Sequence, residues 1–160
     1  MKWLWLSAVV VALDRLSKLI ASARLELHDP LVLTGFFNLT LMHNAGAAFS
    51  FLNQAGGWQR WFFVALAVVI SVILVLWLRR LSPGQRWLAC ALALIIGGAL
   101  GNLWDRLLQG YVVDFIQVHY RHWYWPAFNI ADSAISVGAV MLIIDSLRRK
   151  NPGDAGGSGI

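Results

Sequence analysis

The sequence predicts a mainly α-helical integral membrane protein with four transmembrane helices and a small β-sheet between the first two. Two observations carry this prediction. Hydrophobic residues make up 59% of the 160 residues and charged residues only 13%, about half of the charged share that is usual in soluble domains. The apolar residues also fall into four long runs, each with basic residues at one end. We therefore expect one membrane domain over residues 1–150.

The first apolar run, residues 3–23, is interrupted by Asp14, Arg15 and Lys18. Its basic start and its Ala-Ser-Ala end resemble a signal peptide with a cleavage site, but the three charges fall within what would be the apolar core. Asp14 and Lys18 are four residues apart, so they lie on one helical face. We therefore expect a retained helix.

The next region, residues 24–57, is predicted to form the sheet. The stretch LVLTGFFNLTLMHN is rich in β-branched and aromatic residues, and turn signals stand at Asp29-Pro30 and Gly35. A Gly-Gly pair ends the region. It is too polar and too interrupted to span a membrane, so we expect it on the membrane surface.

Three further transmembrane helices are predicted, at residues 58–78, 87–108 and 127–147. The first of these has no charge from residue 61 to 78, which is long enough to cross a hydrocarbon core of about 30 Å. In the second, Gly97 and Gly101 have the G-x-x-x-G spacing that permits close helix approach. We expect a loop over residues 109–126. The tail, residues 151–160, is expected to be flexible and resembles a cloning remnant.

The basic residues indicate the topology. With four crossings, one side of the membrane receives Lys2, Arg79, Arg80, Arg86, Arg148, Arg149 and Lys150. The loops on the other side hold only Arg24, Arg60 and Arg121. The positive-inside rule then places both termini in the cytoplasm. The basic residues form no stripe with interleaved aromatic residues, so we expect no nucleic-acid partner.

Helices of opposite direction bring their polar residues into one outer layer. At 1.5 Å per residue, Asn102 and Asp105 lie about 22 and 27 Å from the inner face. Asp132 lies only about 7 Å below the outer face, and Asp114 falls in the outer loop. Charged groups at membrane depth are energetically costly, so each is a candidate functional residue.

Two of the carboxylates, Asp114 and Asp132, have no basic residue within four positions and stand in apolar surroundings. Asp14 and Asp105 have basic neighbours, and we interpret them as paired structural charges, Asp105 with Arg106. Burial raises a carboxyl pKa, and two carboxylates that share a site resist ionising together. One acid and one carboxylate can activate a water and protonate a leaving amine. This is the chemistry of an aspartic peptidase.

A serine–lysine peptidase is an alternative within the same class of enzyme. Lys18 and Ser22 are four residues apart, and Ser50 and Ser133 are predicted in the same outer layer. Replacing the three serines with alanine distinguishes the two mechanisms, because only a serine peptidase would lose activity.

Other classes of protein fit the pattern less well. A proton-coupled transporter could use the carboxylates as a relay, but the chain lacks the repeated halves and interrupted helices typical of transporters. A structural scaffold would not need unpaired acids. His119 and His122 alone are weak evidence for a zinc site, so we expect no metal and no cofactor.

Five motifs, in this order along the chain, resemble those of the lipoprotein signal peptidase (signal peptidase II) family. They are D-x-x-S-K (Asp14, Ser17, Lys18), N-x-G-A-A-F-S (Asn44–Ser50), G-G-A-x-G-N-x-x-D-R (Gly97–Arg106), V-V-D-F (Val112–Phe115) and F-N-x-A-D-S (Phe128–Ser133). Together they extend from about Asp14 to Ala139. The chain departs from the family at Arg15, where a neutral residue such as Gln is usual, and at Trp104, where Tyr is common.

The resemblance implies an aspartic endopeptidase of the bacterial cytoplasmic (inner) membrane, with a periplasmic β-cradle and a small periplasmic helix. The implied reaction removes the signal peptide of a prolipoprotein before its diacylglyceryl-modified cysteine, close to the periplasmic face. That substrate and membrane lipid are the implied partners, and globomycin is the implied inhibitor. The family's catalytic pair matches Asp114 and Asp132. Its supporting residues match Asp14, Lys18, Asn44, Gly98, Asn102, Asp105, Arg106, Asn129 and Ala131.

Overall fold

The computed structural model describes residues 2–46 and 57–149, which form four α-helices and a four-stranded sheet. The helices are α1 (Leu4–Arg24), α2 (Trp58–Arg79), α3 (Arg86–Leu108) and α4 (Ile130–Arg149). The strands are β1 (Pro30–Thr34), β2 (Phe37–Asn44), β3 (Val112–Tyr120) and β4 (Trp123–Tyr124). Each helix begins and ends within three residues of its predicted bounds. Most of the predicted N-A-G-A-A-F-S motif, with Ser50, and the tail from residue 150 lie outside the described residues.

Among the described residues, three helices are long and apolar enough to cross a membrane: Trp58–Arg79, Arg86–Leu108 and Ile130–Arg148. The mainly helical membrane architecture with a small antiparallel sheet is therefore confirmed. Helix α1 is also long, but Asp14, Arg15 and Lys18 interrupt its middle. The prediction of four spans therefore stays a prediction.

The predicted loop over residues 109–126 is wrong, because most of this segment forms β3 and β4. The four strands lie in the order β1-β2-β3-β4, and every neighbouring pair is antiparallel. The sheet therefore draws strands from two separate connections, not only from the one between α1 and α2. Strand β3 was not recognised because its first four residues are all buried, so the polar–apolar alternation of a surface strand is missing.

Helix α3 lies at the centre of the bundle and packs against α1, α2 and α4. Glycines allow this close packing. A Cβ atom on Gly97 would lie 2.7 Å from Cβ of Val10 in α1, and one on Gly101 would lie 2.7 Å from Oδ2 of Asp14. The G-x-x-x-G pair therefore faces α1, and it brings the middle of α1 against the C-terminal half of α3.

Helix α4 packs on another face of α3, at Gly98. A Cβ atom there would lie only 2.3 Å from the carbonyl oxygen of Ala131 and 2.7 Å from Cγ1 of Ile135. A backbone oxygen cannot rotate away, so any side chain at residue 98 has to push the start of α4 outward.

We therefore expect Gly98→Ala to destabilise the protein by roughly 1–3 kcal/mol, as overpacking does in other cores, and to lower activity. Gly84→Ala is the matched control, because a Cβ there meets nothing within 4 Å. Thermal unfolding in detergent micelles measures both variants. Equal melting temperatures for the two would contradict the close approach of α3 and α4.

Candidate active site

A cavity of about 580 Å³ lies where the sheet meets α3 and α4. Both predicted catalytic carboxylates, Asp114 and Asp132, line it. The predicted supporting residues Asn44, Asn102 and Arg106 line the same cavity. The structure thus brings together residues that β2, α3, β3 and α4 contribute separately.

Strand β3 positions Asp114, which is only 2% exposed to solvent. Its Oδ1 accepts a hydrogen bond of 2.6 Å from Nδ2 of Asn129, and its Oδ2 accepts one of 3.1 Å from Nδ2 of Asn44. Asn44 ends β2, and Asp114 stands opposite Met42 in the register of β2 and β3. The pairing of β2 with β3 therefore brings Asn44 and Asp114 together across 70 residues of sequence.

The surroundings of Asp114 favour its protonated form. Burial, and next the negative charge of Asp132, raise the pKa of Asp114 from 3.8 to about 7. The hydrogen bonds from Asn44 and Asn129 oppose this shift, because they favour the carboxylate. Asp114 is therefore able to gain or lose a proton near neutral pH, as general acid–base catalysis requires.

The first turn of α4 positions Asp132. Its backbone N–H donates to Oδ1 of Asn129 at 2.9 Å, and its own Oδ2 accepts from the N–H of Asn129 at 3.2 Å. This reciprocal pair is a capping box, with Asn and Asp in place of the usual Ser or Thr and Glu. The remaining oxygen, Oδ1, accepts a hydrogen bond of 2.7 Å from Nδ2 of Asn102.

Asn102 connects Asp132 and Asn129 to the buried Lys18. Its Oδ1 accepts hydrogen bonds from Nζ of Lys18 at 3.0 Å and from Nδ2 of Asn129 at 3.2 Å. Because the amide oxygen accepts from Lys18, the amide nitrogen is free to donate to Asp132. The orientation of the Asn102 side chain is thereby fixed.

A buried cluster of charges centres on Lys18, which is 1% exposed. Its Nζ lies 2.7 Å from Oδ2 of Asp14 and 2.8 Å from Oδ2 of Asp105, and both carboxylates are fully buried. Asp14 also accepts the N–H of Ala131 at 3.0 Å, and Asp105 accepts the N–H of Val113 at 3.3 Å. Each structural carboxylate thus holds the backbone immediately before one of the two predicted catalytic aspartates.

The predicted pairing of Asp105 with Arg106 is wrong. Asp105 pairs with Lys18 and with the NH1 group of Arg15. Neighbouring residues of a helix point in different directions and do not face each other. Arg106 points instead toward the cavity, where it donates to the carbonyl oxygen of Gly46 at 3.1 Å and lies over the ring of Phe63.

The contribution of Arg15 to the site and the capping function of Asn129 were missed in the sequence analysis. A charge inside an apolar run indicates that Arg15 needs a partner, but that partner, Asp105, is 90 residues away in the sequence. The N-x-x-D spacing at the start of α4 was available as a signal for the cap. Two other predicted supporting residues contribute no polar side chain. Gly98 leaves room for the start of α4, and Ala131 donates its backbone N–H to Asp14.

The chain is similar to known proteins along almost its whole length. The model of the family described as Signal peptidase (SPase) II matches residues 6–148. The lipoprotein signal peptidase of Pseudomonas aeruginosa (strain UCBPP-PA14) is 56% identical over 155 residues, 96% of this chain and 92% of the relative. That of Teredinibacter turnerae is 57% identical over 148 residues, 92% of this chain and 88% of the relative.

A solved structure of a bacterial membrane enzyme has the same fold, with a TM-score of 0.86 and 30% identity over 99% of this chain and 94% of that one. The fold and its cavity therefore define a membrane enzyme. The matches in sequence are more specific, and the chain belongs to the signal peptidase II family. It is a peptidase, and the resemblance found in its motifs is confirmed.

The raised pKa of Asp114 predicts how stability depends on pH. Between pH 3.8 and about 7 the folded state holds a proton that the unfolded state has lost, so rising pH destabilises the fold. Asp114→Asn removes this penalty. We expect the variant to be the more stable form at pH 8, by at most about 4 kcal/mol, and the advantage to vanish near pH 4.

Melting temperatures at several pH values measure this difference. The control is Asp29→Asn, because Asp29 is an exposed carboxylate before β1 and should leave the pH dependence unchanged. The difference in melting temperature between Asp114→Asn and the parent should change between pH 4 and pH 8. If this difference is the same at both pH values, Asp114 has an ordinary pKa.

Proposed function

We propose that Asp114 and Asp132 are the catalytic pair of an aspartic endopeptidase that removes the signal peptide of a bacterial prolipoprotein before its diacylglyceryl-modified cysteine. Membership of the signal peptidase II family supports the reaction and the class of substrate. The observation that carries the assignment is the cavity that both residues line, with Asn129 hydrogen-bonded to each of the two carboxyl groups.

One carboxyl group acts as the general base and the other as the general acid. The ionised group takes a proton from a water molecule as that water attacks the scissile carbonyl carbon. The protonated group hydrogen-bonds the carbonyl oxygen and stabilises the tetrahedral intermediate. Proton transfer to the leaving amine then completes cleavage. Asn44, Asn102 and Asn129 hold the carboxyl oxygens in place, which reduces reorganisation during the reaction.

The cavity fits a peptide that carries a lipid. Its polar end contains the two aspartates and Arg106, whereas Phe128, Ile135 and Val137 line its apolar side. Val137 is 53% exposed on the outer surface of α4, where a membrane protein contacts lipid. In the proposed orientation this exposed side of the cavity would face the bilayer, from which a lipid-anchored substrate would arrive.

The serine–lysine alternative is less compatible with the contacts of Lys18. Its Nζ lies 2.7 to 3.0 Å from an oxygen of Asp14, Asp105 and Asn102. An ammonium that is paired with two carboxylates has no lone pair with which to take a proton from a serine. Ser22 is exposed, and Ser133 donates its hydroxyl to the carbonyl oxygen of Asn129.

We further propose that the protein resides in the bacterial cytoplasmic membrane, where it crosses the bilayer four times. Both termini would then lie in the cytoplasm, and the sheet and the active site near the periplasmic face. Membrane lipid surrounds the helices, and globomycin is expected to inhibit the enzyme, as the family resemblance implies. The three charges in the middle of α1 are compatible with a span because Asp14, Arg15 and Lys18 are paired within the protein.

The catalytic pair is tested with Asp114→Asn and Asp132→Asn. Each variant should lose at least about a thousandfold in cleavage rate of a diacylglyceryl-modified prolipoprotein, because one acid–base partner is missing. Asp29→Asn, on the surface, should cleave at the parent rate. Circular dichroism and melting temperature establish that the variants are folded.

A folded Asp114→Asn or Asp132→Asn variant that cleaves at near the parent rate would refute the assignment. The serine alternative is examined in the same assay with Ser22, Ser50 and Ser133 all replaced by Ala. Retained cleavage by this triple variant is the result expected for an aspartic pair, and its loss would favour the serine mechanism.

The four-span topology is tested by cysteine labelling in a Cys90→Ser background. Ser82, between α2 and α3, should be cytoplasmic, and Arg121, between β3 and β4, should be periplasmic. A membrane-impermeant maleimide applied to spheroplasts should therefore label Arg121→Cys and should label Ser82→Cys only after lysis. Labelling of both sites in intact spheroplasts would contradict this topology.

A further inference from the structure

The charged cluster around Lys18 has two carboxylates for one ammonium. Asp14 and Asp105 are both fully buried, and both contact the same Nζ atom. A buried carboxylate without a compensating charge is strongly destabilising. With both carboxylates ionised, Lys18 alone leaves the cluster with one excess negative charge, which a second cation nearby would balance.

Arg15 supplies the missing charge. Its NH1 group donates to Oδ1 of Asp105, the oxygen that Lys18 leaves unused. Its side chain is 24% exposed, whereas Asp105 is not exposed at all, so the guanidinium reaches the carboxylate from the outside of the cluster. With Arg15 included, two cations balance two anions.

Asp105 is also the contact between this cluster and β3. Its Oδ2 accepts the N–H of Val113, the residue before Asp114. This oxygen also lies 2.8 Å from Nζ of Lys18. Without Arg15, Oδ1 of Asp105 would be a buried charged oxygen with no cation, and the carboxylate would be drawn toward Lys18 or solvent and away from the Val113 amide.

We propose that Arg15 is a positioning residue for catalysis, which completes the charge balance of the Lys18 cluster and thereby keeps Asp105 on the backbone that carries Asp114. This inference rests on the proposed function of Asp114 and Asp132. It assigns to Arg15 a role at the position where the family usually has a neutral residue. Its contribution has two separable parts, a hydrogen bond that fixes Asp105 and a positive charge.

The positive charge of Arg15 acts on a connected set of ionisable groups. Asp132 from α4, Lys18 from α1 and Arg106 from α3 interact electrostatically with Asp114. Asp14 and Asp105 belong to the set because both pair with Lys18, and His43 of β2 stands opposite Val113, the residue before Asp114. Removing the charge of Arg15 leaves this set one unit more negative. Protons are then held more tightly by the catalytic pair, so both limbs of the pH–activity profile should move to higher pH.

Three substitutions separate the two parts. Arg15→Gln keeps an N–H donor but removes the charge, Arg15→Met removes both, and Arg15→Lys keeps the charge. Arg24→Gln is the matched control, because Arg24 is an exposed cation on the same helix. Steady-state cleavage of a diacylglyceryl-modified prolipoprotein is measured for each variant as kcat, KM and the pH dependence of kcat/KM.

We expect Arg15→Gln to shift the pH profile upward by roughly half a unit to one unit, with kcat at its own optimum changed by less than about threefold. Arg15→Met should show the same shift and a loss of about tenfold in kcat, with KM unchanged because Arg15 does not line the cavity. Arg15→Lys should restore the parent profile, and Arg24→Gln should equal the parent.

A folded Arg15→Met variant with the parent kcat and pH profile would overturn the proposal. A rise in KM alone, or a loss that Arg15→Lys does not restore, would also overturn it. Failure of the proposed function is distinguishable, because it appears as cleavage by Asp114→Asn or Asp132→Asn, whatever the Arg15 variants do.

Discussion

One buried ammonium group determines the arrangement of the site. Nζ of Lys18 forms ion pairs with Asp14 and Asp105 and donates a hydrogen bond to Oδ1 of Asn102. Each acceptor in turn holds a part of the site. Asp14 holds the backbone before Asp132, Asp105 holds the backbone before Asp114, and Asn102 holds Asp132 directly. Three separate chain segments are thus fixed relative to one atom.

Such a cluster is a poor source of stability, because burying charges costs about as much as their pairing returns. Its value lies in geometry. Replacing it with apolar side chains would leave the backbone N–H groups of Val113 and Ala131 without acceptors. The glycines of α3 belong to the same arrangement, since Gly101 leaves room for the Asp14 carboxylate and Gly98 admits the Ala131 backbone.

The sequence was informative wherever the relevant spacing was local. The helices followed from apolar runs, and the contact between Asp14 and Lys18 followed from their i, i+4 spacing. Asp114 and Asp132 were singled out because they lack basic neighbours in sequence. The errors involve partners distant along the chain. Arg15 meets Asp105 across 90 residues, and the partners in β2 and β3 are 68 to 81 residues apart, so neither contact has a local signal.

The sheet also limits how a peptide can bind near Asp114. One edge of β3 pairs with β2. On the other edge, the N–H groups of Phe115 and Ile116 donate to the carbonyl oxygen of Phe128, and the N–H of Val113 donates to Asp105. A substrate strand therefore cannot extend the sheet there, which is a common mode of peptide binding. On the proposed function, the peptide backbone would then be bound by groups that line the cavity and not by the free edge of a strand.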